Sequence, residues 1–428
     1  MLDIKLIREN PELVRNNLAK RKAPKYLKML EEFIASDKEW RALLLQLDEL
    51  RHKRNLVSKE VNEAMKQKEE AASLIEKARF LPKEIKEIEA KAETIKKNSL
   101  SLLLKLPNLL DESVPFGGDE TKNKEVRRWG KAVKPKFSLK HHGELSVGLN
   151  QADFQRAVKV SGSGFFALKN ELALMDLALQ KFAVDELIKK NFTLIEPPLM
   201  IKRKPYEGVT DLEDFEKVMY KIDGEELYLI ATSEHPLASM HMDEILTEKE
   251  LPIKYVGVSP CFRREIGKHG LEERGFFRVH QFNKVEQVII CNPEESQKHF
   301  EELLRNAETL TKKLMIPYRV VEVCTGDIGI VASRKADIEA WSPREKKYFE
   351  IHSCSNCTSF QARRLNIKYR KKNSIEKEFV HTLNSTAIAT SRMLRAIIEN
   401  HQTKKGTIKV PKVLQKYMNG LKEIKKSK

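Results

Sequence analysis

Apolar residues recur at steps of three and four positions along the segment from about residue 27 to residue 104. This segment contains no glycine and is dominated by lysine, glutamate, leucine and alanine. Such spacing predicts two helices, each with one apolar stripe. The intervening stretch EAMKQKEEAA lacks the stripe, so we expect a turn there and an antiparallel helical hairpin. The stripes consist of Trp40, Leu43, Leu47, Leu50, Val57 and Val61, with Arg54 at a polar step, and of Leu81, Ile85, Ile88, Ala92 and Ile95.

The segments on either side of this hairpin have different patterns. Residues 1–26 are expected to form a short helical cap, in which Asn10 marks a turn and Pro11 suits the first position of a helix. After the hairpin, the stretch KLPNLLDESVPFGGDE holds two prolines, two glycines and an acidic cluster, and we interpret it as a linker. This composition places a domain boundary between residues 112 and 113.

From about residue 116 onward, short β-type runs are mixed with helical segments. Helical spacing occurs at residues 171–190, 293–314 and 390–402. Because several β-type runs follow one another through short loops, we expect an α+β domain with a largely antiparallel sheet and helices packed on it. The predicted strands are FTLIEPPLM, ELYLIATSE, IKYVGVSPCF, VHQFNKVEQVII, YRVVEVCTG and KYFEIHSCS.

Charge narrows the class of partner. The 428 residues include 79 lysines and arginines against 62 aspartates and glutamates, a formal net charge of +17. This surplus favours nucleic acid or an anionic membrane surface as a partner, although a lysine-rich proteome would produce the same value. No apolar run reaches the length that spans a membrane, and the N-terminal residues have no apolar core of a signal peptide.

The five cysteines are odd in number and mostly far apart, which indicates reduced thiols in an intracellular protein. Cys354 and Cys357 form a CxxC pair. A structural zinc site requires a second pair of ligands at short spacing, and none is evident, so we expect no zinc. The remaining cysteines are Cys261, Cys291 and Cys324.

The stretch CFRREIGKHGLEERGFFRVHQFNKVEQVII, residues 261–290, combines charges of both signs with aromatic rings. If FRRE ends one strand, Arg263 and Glu265 share a face of it. Burying so much charge without a ligand is costly, so we interpret this surface as a nucleotide site, over the alternative of a structural ion-pair ladder. Alternation along the following strand places on one face Arg278, His280, Phe282, Lys284 and Glu286.

These residue types suit a nucleotide because arginine binds phosphate, a ring stacks on a base, and carboxylates hold Mg²⁺ or an amine. The sequence has neither the GxxxxGK[ST] phosphate loop nor a GxGxxG motif after a strand. We therefore expect ATP, if it binds here, to lie on a sheet surface.

The same stretch resembles motif 2 of the class II aminoacyl-tRNA synthetases, and in particular the seryl-tRNA synthetase family. The similarity extends through nearly the whole chain, with FTLIEPPLM similar to motif 1 (near 191–200), residues 259–290 to motif 2 and TLNSTAIATSR to motif 3 (near 382–400). TSE at 232–234 resembles the serine loop, and SCSNCTSFQARR resembles the segment before motif 3. The resemblance implies an N-terminal tRNA-binding domain, 1–112, and a class II catalytic domain, 113–428.

By this resemblance, Arg263 holds the α-phosphate of ATP with Glu265 as its partner, and Arg392 lies near the γ-phosphate. Phe282 stacks on adenine, and Val279 also belongs to the ATP site. Glu350 and Ser353 serve ATP and its Mg²⁺. The serine pocket is implied to consist of Thr232, Glu234, Arg278, Glu286, Asn384 and Thr386. Arg278 takes the serine carboxylate, and Glu286 takes the amine and hydroxyl.

The resemblance further implies a cytoplasmic homodimer that charges serine tRNA, with the hairpin of one subunit gripping the variable arm of the tRNA for the other. Charging of selenocysteine tRNA stays open. Asn191 stands where motif 1 usually has glycine, and asparagine tolerates positive φ. In the motif 2 loop, Ile266, Lys268 and Leu271 depart from the usual residues, which puts tRNA species preference in doubt.

Two other readings are weighed. Ligases that load an amino acid onto a carrier protein resemble the catalytic body but lack the helical arm that this chain has. A non-catalytic paralogue is expected to lose the ATP arginines or the pocket glutamate, whereas this chain keeps them all.

Overall fold

The computed structural model describes residues 1–67, 72–210, 218–265, 275–372 and 374–427. The chain divides into two compact units: Met1–Ala19 with Ala23–Pro107, and Lys20–Lys22 with Asn108–Lys428. The boundary expected from the sequence, between residues 112 and 113, falls a few residues beyond this division.

The first unit is helical. Its described helices are α1 (Ile4–Glu9), α2 (Pro11–Ala19), α3 (Pro24–Gln67) and α4 (Ala72–Lys105). As predicted, Pro11 opens a helix and the striped segment forms two long ones. The expected turn includes residues 68–71, which lie outside the described residues.

The two long helices pack through the apolar stripes. Leu43 and Leu47 of α3 form a buried cluster with Ile85 and Ala92 of α4, flanked by partly buried stripe residues. Charged side chains occupy the outward positions, as a two-helix arrangement in water requires. Near the start of α3, Asp37 is almost fully buried and pairs with Arg8, Nη2 to Oδ1 2.7 Å, which fixes α1 against α3.

The second unit is built on one large sheet. Among the described residues, eight strands form it in the order β1-β10-β11-β12-β15-β9-β8-β4. All neighbouring pairs in this order are antiparallel except β4 and β8, which are parallel. Its strands are β1 (Lys124–Trp129), β4 (Thr193–Ile195), β8 (Ile253–Phe262), β9 (Gln281–Cys291), β10 (Tyr318–Glu322), β11 (Arg334–Ser342), β12 (Lys347–Asn356) and β15 (His381–Ala389).

Short strands form the small sheets of this unit. β7 pairs with β13 in a parallel arrangement, and the other small pairs are antiparallel. These strands are β2 (Ala152–Asp153), β3 (Ala167–Leu168), β5 (Met200–Lys202), β6 (Leu227–Leu229), β7 (Ile245–Thr247), β13 (Lys368–Arg370), β14 (Lys377–Phe379), β16 (Ile408–Lys409) and β17 (Glu423–Ile424).

Three helices, α7 (Asn170–Ile188), α10 (Ser296–Lys313) and α12 (Thr390–His401), pack on the large sheet and close the main apolar core. Phe182 of α7, Phe300 of α10 and Leu394 of α12 are fully buried there against the central strands. The helices of the unit are α5 (His142–Gly148), α6 (Phe154–Ser161), α7 (Asn170–Ile188), α8 (Arg203–Val209), α9 (Glu234–Ser239), α10 (Ser296–Lys313), α11 (Phe360–Leu365), α12 (Thr390–His401) and α13 (Lys412–Gln415).

The expected α+β class and the antiparallel character of the sheet are confirmed. The linker interpretation needs a correction, because part of that stretch is packed. Asn108 donates from Nδ2 to the carbonyls of Val331 and Cys357, at 3.0 and 2.9 Å, and Leu110 lies in a small apolar cluster. Prolines and glycines there set a fixed path along the second unit. Asn191, with φ +64°, occupies the positive-φ conformation expected of it.

Among the described residues, none of the helices combines the length and the apolar character that crossing a membrane requires.

Candidate active site

The register between β8 and β9 builds the floor of the site. Phe282 lies opposite Cys261, Lys284 opposite Ser259, and Glu286 opposite Gly257. Alternation therefore sends Phe282, Lys284 and Glu286 to one face, as predicted. A side chain at Gly257 would collide with Leu237 and Ser233, so glycine lets α9 approach this strand closely.

The end of β8 and the start of β9 differ from the prediction. Arg263 and Glu265 follow the last residue of β8, and Arg278 and His280 precede β9. His280 turns from the cleft, because its Nδ1 lies 2.7 Å from the hydroxyl of Tyr220 and its ring stacks on Phe165. Residues 266–274, which include Ile266, Lys268 and Leu271, lie outside the described residues.

Side chains from these ends meet at one wall of the cleft. The guanidinium of Arg263 lies 5.3 Å from the ring centre of Phe282, and its Nε donates to the carbonyl of Ala231 at 3.3 Å. Glu265 has φ +40°, and its carboxylate lies 3.8 Å from Arg278. This wall thus presents a cation over an aromatic ring, beside a loosely paired carboxylate and guanidinium.

The opposite wall comes from α12 and β12. Arg392, in the first turn of α12, pairs with Glu350 at 2.9 Å, and its guanidinium lies 5.3 Å from the ring centre of Phe277. Burial alone would raise the pKa of Glu350, but the charges of Arg392, Lys335 and Arg263 together outweigh burial and lower that pKa. Glu350 is therefore an anion in the cleft at neutral pH.

A β-bulge brings Glu350 and Ser353 to the same face of β12. Glu350 lies opposite Glu339 and His352 opposite Ile338, so Ile351 is the extra residue. The burial pattern agrees, because Ile351 and His352 are both buried in succession, whereas Glu350 and Ser353 are partly exposed. Regular alternation would separate two residues at this spacing.

Glu350 and Ser353 lie near a further carboxylate. Ser353 hydrogen-bonds to Asp337, whose other neighbour, Lys335, approaches to 3.3 Å. Burial raises the pKa of Asp337 to about 6, and the charge of Glu350 acts in the same direction. The carboxylate oxygen Oδ1 of Asp337 is buried without a hydrogen-bond partner among the described residues. Two carboxylates and a hydroxyl form an oxygen-rich set of the kind that Mg²⁺ prefers.

A buried polar pocket lies below the two walls. Lys284 is at its centre, with Nζ 2.6 Å from a Glu286 carboxylate oxygen and 3.0 Å from the hydroxyl of Thr232. Thr386 hydrogen-bonds to Glu286 from the neighbouring strand β15. All four side chains are almost fully buried, so water screens their charges little.

Glu234 forms the far side of this pocket. Its Oε1 accepts hydrogen bonds from Asn384 at 2.9 Å and from Gln361 at 3.1 Å. Burial raises the pKa of Glu234 to about 7, and repulsion from Glu286 adds to the effect. Burial also raises the pKa of Glu286, although Lys284 opposes this. The pocket therefore holds two carboxylates with raised pKa values beside Lys284.

The structure brings the predicted residues together. Asn384 and Thr386 lie on β15, Glu286 lies on β9, and Thr232 and Glu234 lie at the start of α9, so three separate chain segments supply these pocket residues. The cleft above it is lined by Arg263, Glu265, Phe277, Arg278, Val279, Phe282, Lys284, Glu350, Ile351, Thr386, Ala389, Ser391 and Arg392.

Sequence reasoning missed several members of the site. Lys284 was placed on the correct face but given no role, although its position between Phe282 and Glu286 was the available signal. Phe277 and Asp337 have no local sequence signal, because the position of Phe277 depends on the irregular segment before β9 and that of Asp337 depends on the β11–β12 pairing. Gln361 follows the CxxC pair, and Cys357 itself lies 3.7 Å from the amide nitrogen of Asn384.

A buried hydrogen-bonded network supports the Phe277 wall. His142 Nε2 accepts the backbone N–H of Phe276 at 3.2 Å, so its Nδ1 carries the proton toward Glu399 at 3.2 Å. Arg395 pairs with Glu399 at 3.1 Å, and its guanidinium lies 4.5 Å from the ring centre of Phe277. This network fixes the segment that carries one face of the cleft.

The comparisons with known proteins agree with this geometry. Residues 1–110 match the family model described as "Seryl-tRNA synthetase N-terminal domain", and residues 217–401 match "tRNA synthetase class II core domain (G, H, P, S and T)". The chain is 54% identical to the serine--tRNA ligase of Methanocella arvoryzae, covering 98% of this chain and 99% of that one. It is 50% identical to the serine--tRNA ligase of Pyrococcus horikoshii, covering 99% of this chain and 97% of that one.

Solved structures give the same result. The crystal structure of seryl-tRNA synthetase from Pyrococcus horikoshii complexed with ATP superimposes with a TM-score of 0.96, at 50% identity and full coverage of both chains. The crystal structure of the cytoplasmic serine-tRNA ligase from Naegleria fowleri in complex with AMP superimposes with a TM-score of 0.90, at 35% identity. The match covers 100% of this chain and 99% of that chain. Because relatives match the chain over nearly its full length in sequence and in fold, and two family models match residues 1–110 and 217–401, the chain belongs to the seryl-tRNA synthetase family, within class II of the aminoacyl-tRNA synthetases.

Proposed function

We propose that the second unit activates L-serine with ATP, releasing pyrophosphate, and then transfers the seryl group to the 3′ end of serine tRNA. As a family member, the protein is an ATP-dependent serine--tRNA ligase. The observation that supports these site roles best is the joining of two regions: an open cleft with a cation over a ring on each wall, and a buried polar pocket directly below it.

ATP fits the upper cleft. Phe282 offers a flat face for adenine, and Arg392 closes from the other side. Arg263 is placed for the α-phosphate, with Glu265 beside it and Val279 in the lining. A cation at the α-phosphate serves catalysis because negative charge builds there as the new bond forms.

Mg²⁺ fits beside Glu350 and Ser353, where the orphaned oxygen of Asp337 adds a further acceptor. When bound with ATP, the ion neutralises phosphate charge and makes pyrophosphate a better leaving group. Among the described residues, no group of three or more histidine, cysteine, aspartate or glutamate side chains is placed to hold a metal alone, which suits an ion held largely by phosphates.

L-serine fits the buried pocket. Glu286 and Glu234 offer carboxylates for the ammonium group, and Arg278 lies at the mouth for the carboxylate. The pocket is completed by Thr232, Asn384 and Thr386, with Lys284 holding Glu286 in place. Alanine leaves such polar groups unpaired, so it is rejected strongly, and a tight pocket excludes the extra methyl of threonine.

The first step of the reaction requires the alignment of two anions, the serine carboxylate and the α-phosphate of ATP. An oxygen of the serine carboxylate attacks the α-phosphorus, the bond from that phosphorus to the bridging oxygen breaks, and pyrophosphate leaves. Arg263 and Arg278 reduce the repulsion between the reactants and orient them, so no side-chain nucleophile is required. In the second step a terminal ribose hydroxyl attacks the seryl carbonyl carbon, and AMP leaves with the bonding electrons.

The helical hairpin is proposed to bind the variable arm of serine tRNA through shape and backbone contacts, as is usual for double-stranded RNA. Such binding weakens steeply with salt. We place the enzyme in the cytoplasm as a homodimer, in which the hairpin of one subunit serves the active site of the other. Charging of selenocysteine tRNA is a further candidate activity.

ATP–pyrophosphate exchange with serine, threonine, alanine or glycine as the amino acid tests the proposal, with Glu286→Ala as the pocket variant. We expect exchange with serine, its loss in Glu286→Ala, and its retention in the exposed control Glu376→Ala. Charging of serine tRNA then completes the test. Folded protein that exchanges with no amino acid would indicate a non-catalytic paralogue, and exchange without tRNA charging would favour a carrier-protein ligase.

A further inference from the structure

One buried histidine joins two parts of the second unit that are distant in sequence. His142, the first residue of α5, lies between Glu399 of α12 and residues 275–278, here named the return segment. The return segment brings Phe277 and Arg278 into the lining of the cleft, to which His142 itself does not belong. His142 can therefore act on a substrate only through the residues that it holds.

The hydrogen bonds of His142 require one tautomer of a neutral ring. A backbone N–H only donates, so Nε2 of His142 accepts from Phe276, and Nδ1 carries the proton toward the carboxylate of Glu399. Burial lowers the pKa of His142, although the hydrogen bond to Glu399 opposes this. The ring is therefore neutral at pH 7, and the lone pair at Nε2 is available to the return segment.

Glycine at position 275 lets the return segment reach this ring. Gly275 has φ +105°, and a β-carbon there would collide with Nε2 and Cδ2 of His142. Another residue would strain the backbone and also push the imidazole away from the N–H of Phe276. Phe276 is itself fully buried, with its ring centre 5.4 Å from that of Phe154 and 5.1 Å from that of Phe166. Hydrogen bonding and packing thus fix the return segment at the same point.

The next residue, Phe277, carries this position to the ATP cleft. Its ring meets Phe349 edge-on, with the centres 5.7 Å apart and the planes at 86°. The guanidinium of Arg392 lies 5.3 Å from the ring centre of Phe277, on the wall of the cleft opposite Phe282. A cation is attracted to the face of an aromatic ring over a short range, so the location of the Phe277 ring influences that of Arg392.

We propose that His142 is a positioning residue for ATP, which holds the return segment so that Phe277 supports Arg392 against the adenine. This inference rests on the proposed function. Its effect falls mainly on the nucleotide, because Glu234 and Glu286 are proposed to hold the serine ammonium group from α9 and β9, outside the return segment.

Two substitutions separate the roles of the two ring nitrogens. In His142→Asn, the amide nitrogen takes the position of Nδ1 and still donates to Glu399, but the N–H of Phe276 loses its acceptor. In His142→Gln, the longer side chain brings its oxygen near the position of Nε2 and keeps that acceptor, but the donor to Glu399 is lost. Both variants lose the ring, so each is the matched control for the other.

The test measures ATP–pyrophosphate exchange and melting temperature of the full-length proteins. We expect His142→Asn to raise the KM for ATP about 10-fold, because a buried N–H without an acceptor displaces the return segment. Its kcat and its KM for serine should stay near the wild-type values. His142→Gln should keep the KM for ATP near the wild-type value but have the lower melting temperature, because Glu399 is left without its histidine donor.

This opposite order of affinity and stability distinguishes positioning from a merely structural role, in which the KM for ATP follows the melting temperature. Gly275→Ala, which retains His142, should also raise the KM for ATP, and it provides the test if a His142 variant does not fold. An equal KM for ATP in the two His142 variants, or equal rises in the KM for ATP and for serine, overturns the inference. Absence of exchange in the wild type refutes the proposed function itself, a result that is independent of His142.

Discussion

The raised pKa of Glu234 predicts a pH-dependent affinity for serine. Glu234 is buried between Asn384 and Gln361, and its pKa of about 7 means that it is protonated in part of the population at neutral pH. An ammonium group binds the carboxylate and not the carboxylic acid. As pH falls through 7, the binding-competent fraction therefore decreases and the KM for serine rises.

The size of the effect follows from the ionised fraction. With a pKa of about 7, roughly one-eleventh of Glu234 is ionised at pH 6 and roughly ten-elevenths at pH 8. The KM for serine in pyrophosphate exchange is thus expected to be about tenfold higher at pH 6 than at pH 8. Glu234→Gln keeps an oxygen for both amide donors but removes the titration, so its KM should be high and nearly constant.

Exchange assays at saturating ATP between pH 5.5 and 8.5 measure this dependence, with exposed Glu376→Gln as the control that keeps the wild-type slope. A wild-type KM that is constant between pH 6 and pH 8 would refute the reasoning. A pH dependence of KM that persists in Glu234→Gln would show that another group titrates, with Glu286 as the nearest candidate.

Three more predictions concern the walls, the supporting network and the hairpin. Arg263→Ala should lower kcat for serine-dependent exchange by about 100- to 1,000-fold with little change in melting temperature, because a partly exposed cation that acts on the transition state is lost. Burial alone would raise the pKa of Glu399, but His142 and Arg395 hold it at about 2 against an unfolded value near 4.5. Its stabilisation is therefore present above pH 4.5 and lost as pH falls toward 2. Glu399→Gln should destabilise the protein by about 3 kcal/mol in urea unfolding at pH 7, and the gap to the wild type should close in acid. Leu47→Ala in the buried seam should cost about 2–5 kcal/mol of hairpin stability and lower tRNA charging, while pyrophosphate exchange stays at the wild-type level.

Local patterns predicted most of the architecture. The helices α3 and α4 follow from their apolar stripes, whereas α7, β8 and β9 follow from long runs of residue types typical of a helix or a strand. Strand β11 was not predicted. Its sequence, RKADIEAWS, has four charged residues and two alanines, so it lacks the run of β-branched and aromatic residues that is typical of a strand.

The positions and roles of the site residues cannot be predicted from periodicity alone. Phe282, Lys284 and Glu286 follow from alternation in β9, but roles for residues such as Glu234 came from the family resemblance. Spacing along the chain does not show that Asn384 and Gln361 converge on Glu234, because three separate elements must first be packed together. The support that His142 gives to Phe276 is likewise a long-range contact, with no trace in the local pattern.

The bulge at Ile351 changes which face of the sheet each following residue of β12 occupies. Without it, the strand would be a more regular ladder, but Glu350 and Ser353 would lie on opposite sides of the sheet and the oxygen-rich set with Asp337 would be divided. Deleting Ile351 would instead leave Glu350 and Ser353 two positions apart, and a regular strand would then keep both on one face. Two residues at a spacing of three therefore share a face of β12 only because the bulge takes up the extra position.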